Sequence, residues 1–253
     1  NLKKKDYYIC PYCFSKHDLN DVSFICKNDP EGCENAREGI FLRSKRGESK
    51  KEMPDSIFCT ECGEKTNIRI CPTCHEELPY AIGQYDNLVF AVIGAKEAGK
   101  SHYIAVLIDK IMNEIGSAFN CSLSAVNDAT IKRYRTDFYD PVFKRNELIR
   151  VTRSAKTDSS VKQPLIYNLT FTEQGMFGGL FKGKRISNVV TVAFFDTAGE
   201  DLDSEDTMKA VNRYIYNSSG IIFLLDPLQL ENVREMLPAG TLLPEQNTEI
   251  EDL

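Results

Sequence analysis

Apolar positions are scattered over the first 80 residues and then gather into runs. Leu88-Val89-Phe90-Ala91-Val92-Ile93 is unbroken and rich in β-branched and aromatic residues, the composition of a strand covered on both faces. Pro164 to Phe171, Val189 to Phe195 and Gly220 to Asp226 repeat that character and predict three more strands. Tyr103 to Ile111 fits a helix. Ala125 to Leu148 is charged, with Tyr134, Phe138, Tyr139, Val142 and Phe143 spaced as on a helix, and predicts an inserted helical segment whose aromatic stripe packs inward. Residues 1 to about 80 show turn signals and little helical periodicity, and Leu78 to Gly83 reads as a short linker. The pattern divides the chain into a small module, 1–83, and an α/β domain, 84–253.

The junction of the first long strand and the first helix carries the most specific motif. Gly94-Ala95-Lys96-Glu97-Ala98-Gly99-Lys100-Ser101 reads G-x-x-x-x-G-K-[ST], with His102 next. Glycines let backbone amides wrap a phosphate, and the helix start turns its partial positive charge toward it. Lys100 would reach the β- and γ-phosphates and Ser101 would ligate Mg²⁺. A second feature follows the strand ending at Phe195: Asp196-Thr197-Ala198-Gly199-Glu200 puts a carboxylate where an Mg²⁺ partner belongs and a side-chain-free amide, Gly199, where a γ-phosphate would lie.

Together these stretches resemble the P-loop GTPases of the translation-factor-related and Ras-like class. The resemblance implies a mostly parallel sheet with helices on both faces, one antiparallel strand, Mg²⁺-dependent hydrolysis of GTP to GDP, and a conformational switch. It implies catalytic roles for Lys100, Gly199 and Glu200, the last standing where that class often has a water-orienting glutamine. Mg²⁺ would be held by Ser101, Asp196 and a switch threonine, Thr157 or else Thr152. No guanine-reading N/T-K-x-D is present, and the chain ends too soon for the two last strands of such a domain, so a C-terminally incomplete domain is expected. An ATP-driven P-loop enzyme and a catalytically silent, nucleotide-binding zinc scaffold are the alternatives.

Cysteine usage adds a second chemistry. Eight of nine cysteines precede residue 75. Cys10/Cys13, Cys59/Cys62 and Cys71/Cys74 are C-x-x-C pairs, and Cys26/Cys33 form a looser one. Two thiolates at this spacing reach one tetrahedral ion, so eight sulfurs suit two Zn²⁺. Disulfides would need an oxidising compartment that nothing else suggests, and the spacings do not match common iron–sulfur runs. The neighbouring pairs 59/62 and 71/74 are expected to share one ion and 10/13 and 26/33 the other; a cross-braced pairing, first with third and second with fourth, is the alternative. His75 could substitute as a ligand, His17 reads as a surface residue, and Cys121 as a small buried hydrophobe. Cysteine knuckles ahead of such an α/β domain resemble bacterial GTPase-like proteins of conflict or defence systems, the double-GTPase type.

Net charge is −6, which argues against a general polyanion-binding role. The basic stretch Arg43 to Lys51 joins the cysteine clusters and reads as a solvated loop rather than a nucleic-acid contact. Gly175 to Arg185 sets apolar residues among glycines at a hairpin tip, and this tip or the zinc module is the expected contact for a protein partner; a membrane contact at the tip and a flexible tip folded back on its own domain are the other readings. No run is long enough to span a bilayer, and the expected location is cytoplasmic.

Overall fold

The computed structural model describes residues 6–43, 52–85, 87–94, 98–149, 164–177, 181–194 and 212–243. In the first third, strands of two or three residues stand in place of long elements. β1 (Tyr7–Ile9) pairs antiparallel with β2 (Lys16–Asp18). β3 (Ser23–Phe24) pairs with β4 (Leu42–Arg43) and, on its other side, with β7 (Arg69–Ile70). β5 (Ile57–Phe58) pairs with β6 (Lys65–Thr66). Such short ladders bury little by themselves. The module's core is Tyr8, Phe24, Leu42 and Ile82 packed around the cysteines.

The stretch expected as a linker belongs to that core. Leu78, Ala81 and Ile82 are buried. Arg69, itself buried, donates to the carbonyls of Ile82 and Tyr80 and ties the segment down. Burial lowers the pKa of this guanidinium, and the two carbonyls offset part of its desolvation.

The α/β part is built on β8 (Asn87–Gly94), followed by α1 (Lys100–Lys110). The helix continues through a π-helical stretch, Ile111–Ile115, into α2 (Gly116–Ala118). Next come β9 (Cys121–Ala125), α3 (Asp128–Arg133) and a π-helical segment, Tyr134–Lys144. β10 (Leu165–Phe177) and β11 (Phe181–Phe194) form a long hairpin; a helical turn over 212–216, β12 (Gly220–Leu224) and a short helix, Glu231–Glu235, close the described chain.

The five strands make one mixed sheet in the order β12-β8-β11-β10-β9. β8 is parallel to β11 and β12, whereas β10 is antiparallel to β11 and β9, so β10 alone runs against the rest. Beyond a bulge at Phe171/Thr172, β10 and β11 pair only with each other among the described residues, and their ribbon overruns the sheet.

Alternation along the strands sorts the two faces. Leu88, Phe90 and Val92 of β8, with Leu165, Tyr167, Val190 and Val192, pack against Ile104, Ala105 and Ile108 of α1 and against Tyr134 and Phe138. Tyr134 donates to the Ala105 carbonyl at 3.1 Å; Phe138, Tyr139 and Val142 of the aromatic stripe pack in the same cluster, whereas Phe143 is exposed. Val89 and Ala91, with Ile166 and Ala193, face the other way and meet Ile9, Phe14 and Tyr214. Two of those three, Ile9 and Phe14, come from the cysteine module.

Candidate metal centres and glycine loop

Three of the four cysteine pairs fold into the same turn. The amide of the residue after each second cysteine returns to the carbonyl of the first: Phe14 to Cys10 at 2.9 Å, Gly63 to Cys59 at 3.1 Å, His75 to Cys71 at 3.0 Å. One residue on, a carbonyl accepts from the first cysteine's own amide, as Ser15, Glu64 and Glu76 do. This closure puts the residue after the knuckle in left-handed backbone, with φ of 58° at Phe14, 73° at Gly63 and 61° at His75. Only one of the three is glycine; an L side chain there costs about 1–2 kcal/mol, which its other contacts must offset. His75 stacks on Phe41 with ring centroids 4.4 Å apart. Phe14 is buried at 1 % exposure.

The knuckles converge in two sets of four, Cys10/Cys13/Cys71/Cys74 and Cys26/Cys33/Cys59/Cys62, the sulfurs of each set lying within 4.8 Å of one another. The pairing is nested, first with fourth and second with third. It corrects both the neighbouring assignment and the cross-braced alternative. The reason is the sheet: β3 takes β7 as a neighbour, which folds the fourth knuckle back toward the first. Spacing fixes how far two sulfurs of one pair reach, not which pair they face.

Each set could hold a metal ion. A tetrahedral ion with metal–sulfur bonds of about 2.3 Å puts its sulfurs about 3.8 Å apart. The separations are 3.7 Å for Cys10–Cys74, 3.8 Å for Cys13–Cys71, 3.6 Å for Cys26–Cys62 and Cys33–Cys59, and 3.9 Å for Cys26–Cys33. All are far beyond a disulfide bond length, and every cysteine is a free thiol. A hydrogen bond from Cys10 draws Cys71 down to about 5, and one from the Asn35 amide draws Cys59 down to about 6. Hydrogen bonding to neighbouring sulfurs pushes Cys10 up and burial pushes Cys33 up, so the thiols of one set do not shift together.

His17 is not the surface residue its sequence context suggests. Its side chain is 9 % exposed, with Nε2 3.6 Å from Cys71 Sγ and 3.3 Å from Thr73 Oγ1, and Nδ1 3.4 Å from Asp21 Oδ2. Hydrogen bonding to the Cys13 and Cys71 sulfurs pushes it up to about 10. A His two residues into a strand after a knuckle was the available signal. Cys121 is half-buried in β9 and far in sequence from both sets.

The first knuckle is fastened to the sheet. Asn87 Nδ2 donates to the Ile9 carbonyl at 2.6 Å and accepts from the Ile9 amide through Oδ1 at 3.4 Å. Asn127 Nδ2 donates to the Tyr12 hydroxyl at 3.2 Å, Arg213 to Ser15 Oγ at 3.2 Å and Asn217 Nδ2 to the Phe14 carbonyl at 2.9 Å. The Phe14 and Tyr214 rings lie 4.8 Å apart, the separation of a tilted aromatic pair. Tyr214 donates its hydroxyl to the Phe90 carbonyl and accepts from the Val92 amide at 3.0 Å.

Of the glycine loop, Gly94, Ala98, Gly99, Lys100, Ser101 and His102 are described. Gly94 ends β8 where a Cβ would lie 2.3 Å from the Leu224 carbonyl oxygen, so no side chain fits. Gly99, at φ 83°, turns the chain into α1 in left-handed backbone. Lys100 is buried and donates to the Gly94 carbonyl at 2.8 Å, spanning the loop. His102 accepts from the Ile149 amide at 3.0 Å, a packing role that its place in the motif did not announce. Ala95, Lys96 and Glu97 lie outside the described residues, as do Asp196, Gly199, Glu200, Thr157 and Thr152.

No protein-family model matches the chain, and no solved structure does. SaeC of Mycolicibacterium smegmatis, which carries the provisional description ESX-1 scaffolding and assembly protein, is 30% identical over 194 residues. The match takes in 76% of this chain and 46% of SaeC, so the chain spans about half the length of the curated relative it matches.

That finding corrects the GTPase reading. Membership of the Ras-like and translation-factor-related class, kinship with defence-system GTPases, and a GTP-hydrolysing switch were all expected; the relative is named for scaffolding and assembly. The physical reason is the narrowness of the signal. An octapeptide and a pentapeptide specify a local backbone path, and function does not follow from that path. No helix among the described residues is long and apolar enough to cross a membrane.

Proposed function

We propose that the protein is a zinc-organised scaffold that binds other proteins during assembly of a larger complex. The observation that carries this reading is the pair of four-sulfur clusters in a chain related to a scaffolding and assembly protein. Zinc is the ion of choice because all-cysteine tetrahedral sites suit a d¹⁰ ion with no redox chemistry and bind it to fix structure. Cys10, Cys13, Cys71 and Cys74 would hold one ion and Cys26, Cys33, Cys59 and Cys62 the other; the ions supply rigidity to a module too small to make its own core. Nine free thiols belong in a reducing compartment such as the cytoplasm.

The α/β part is read, also as a proposal, as a phosphate-loop domain in which Gly94 to Ser101 receive the phosphates of a nucleotide that serves as a structural ligand. The support is the succession β8, left-handed Gly99, α1 and the Lys100 bridge. Ser101 would hold a Mg²⁺ that accompanies the nucleotide.

Elemental analysis of the purified chain should return two zinc ions per molecule; fewer than one would refute the metal assignment. The scaffold role is tested by cross-linked affinity purification from the native cell. A defined set of co-purifying proteins is expected with the intact chain and its loss with Cys59→Ser/Cys62→Ser. Recovery of the same set with both chains would count against the module as the binding element.

A further inference from the structure

Two sites of the same chemistry differ in what lies behind them. Cysteines of both sets lie in one hydrophobic cluster, Cys10 and Cys71 with Cys26, Cys33 and Cys59, and that cluster contains no residue beyond Ile82. The first knuckle sends Ile9 and Phe14 into a separate cluster with Val89, Ala91, Ile166, Ala193 and Tyr214. Phe14 reaches that cluster in left-handed backbone, a conformation imposed by the turn that Cys10 and Cys13 close. Two backbone hydrogen bonds close the turn, and an ion holding both sulfurs would add to them against the cost of left-handed backbone at a phenylalanine. The path continues in named contacts: the Phe14 ring on the Tyr214 ring, the Phe14 carbonyl on Asn217, Ser15 on Arg213, and the Tyr214 hydroxyl on Phe90 and Val92. Val92 lies two residues before Gly94, where β8 gives way to the glycine loop.

We infer that the first knuckle is a metal-set latch on β8. An ion held by Cys10, Cys13, Cys71 and Cys74 fixes Phe14 against Tyr214, and Tyr214 fixes the end of β8 that presents the glycine loop. The second site has no residue in the cluster that Ile9 and Phe14 enter, and meets the first site only through the core they share. This inference rests on the metal reading above. It adds a direction of control, from the occupancy of one cysteine cluster to the rigidity of the strand that feeds the loop.

The test is amide hydrogen exchange at residues 89–93 of the full chain, with ions counted by native mass spectrometry in every sample. Cys71→Ser/Cys74→Ser leaves the 9–15 turn's own sequence intact; it should speed exchange of the Val92 amide about tenfold or more, while Cys59→Ser/Cys62→Ser should change it less than about twofold. Because a ligand variant can lose its fold outright, Phe14→Ala is the decisive companion. It should keep two ions and still speed Val92 exchange about tenfold. Tyr214→Phe keeps the ring contact and removes the hydroxyl; Val92 should be fast in it whether or not the first site is loaded. Unchanged Val92 exchange in a two-ion Phe14→Ala protein overturns the latch, as do equal rises in the two double-serine variants. A wild-type chain carrying no ions refutes the metal reading itself, a result distinct from two ions with no effect.

Discussion

The first cysteine cluster and the second share four sulfurs, similar separations and similar burial, yet they are different structural objects. The first is made of two regular knuckles, with His17 against one sulfur, and its outer residues are fastened to a five-stranded sheet. The second joins one regular knuckle to the looser Cys26–Cys33 loop, where the Cys33 amide returns to Asp29 and a short 3₁₀ turn, Glu34–Ala36, follows. Its outer neighbours face solvent: Phe58, beside Cys59, is 68 % exposed, against 1 % for Phe14 beside Cys13. Ligand chemistry decides whether a site forms. What the residues beside the ligands touch decides how far its influence extends.

The comparison can be broken hardest by removing the ions. If the two sites hold zinc as proposed, stripping it forfeits on the order of 10 kcal/mol of binding free energy that is also folding free energy. A strong chelator should therefore unfold the module and, through Phe14 and Ile9, lower the melting temperature of the α/β part as well. Circular dichroism melts that leave the α/β transition unmoved would show the two parts to be energetically separate. Next in size is a pair of phenylalanine truncations. Phe14→Ala should cost about 3 kcal/mol, a large buried aromatic lost with partial relaxation, and Phe58→Ala less than about 0.5 kcal/mol. Denaturation midpoints read both, and similar values would erase the contrast between the sites.

Asn87→Ala sharpens the comparison at the fastening itself. It removes both hydrogen bonds to Ile9 and strands a buried carbonyl, so about 1–3 kcal/mol should be lost with both ions retained. The smallest effect expected is at the left-handed positions. Gly63→Ala should destabilise by about 1 kcal/mol, and His75→Gly should change stability little, because relief of its backbone offsets the lost stacking on Phe41. A stabilising Gly63→Ala would mean that the turn geometry at the second site is not the one described.

The four long strand-forming runs and the helix after Gly99 were legible because buried strands and an amphipathic helix repeat their apolar positions. β9 was not: Ser122 and Ser124 alternate with Cys121, Leu123 and Ala125, and so short a half-polar strand has no signal until β10 pairs with it. Both four-sulfur sites were implied by C-x-x-C, which encodes local reach. Their pairing was hidden because it is decided by a two-residue strand contact, β3 with β7, that no periodicity could reveal. Phe14 was hidden for a related reason. It follows a knuckle in a position usually suited to glycine, and only the packed chain shows the ring on Tyr214. Leu78, Ala81 and Ile82 looked like a linker since they are few and flanked by turn residues, yet the module buries all three.

The layer shared by Ile9, Phe14, Val89, Ala91, Ile166, Ala193 and Tyr214 also bears on descent. A boundary can be drawn near residue 83 along the chain, but not through the packing. A gene cut there would yield one piece with Ile9 and Phe14 bared to water and another with a stripped sheet face, each prone to self-association. Shuffling of the two parts among other proteins is thereby penalised at the level of solubility. The cysteine module and the sheet it covers should be inherited together, and a lineage that loses the first knuckle should show polar replacements at Val89, Ala91 and Ala193.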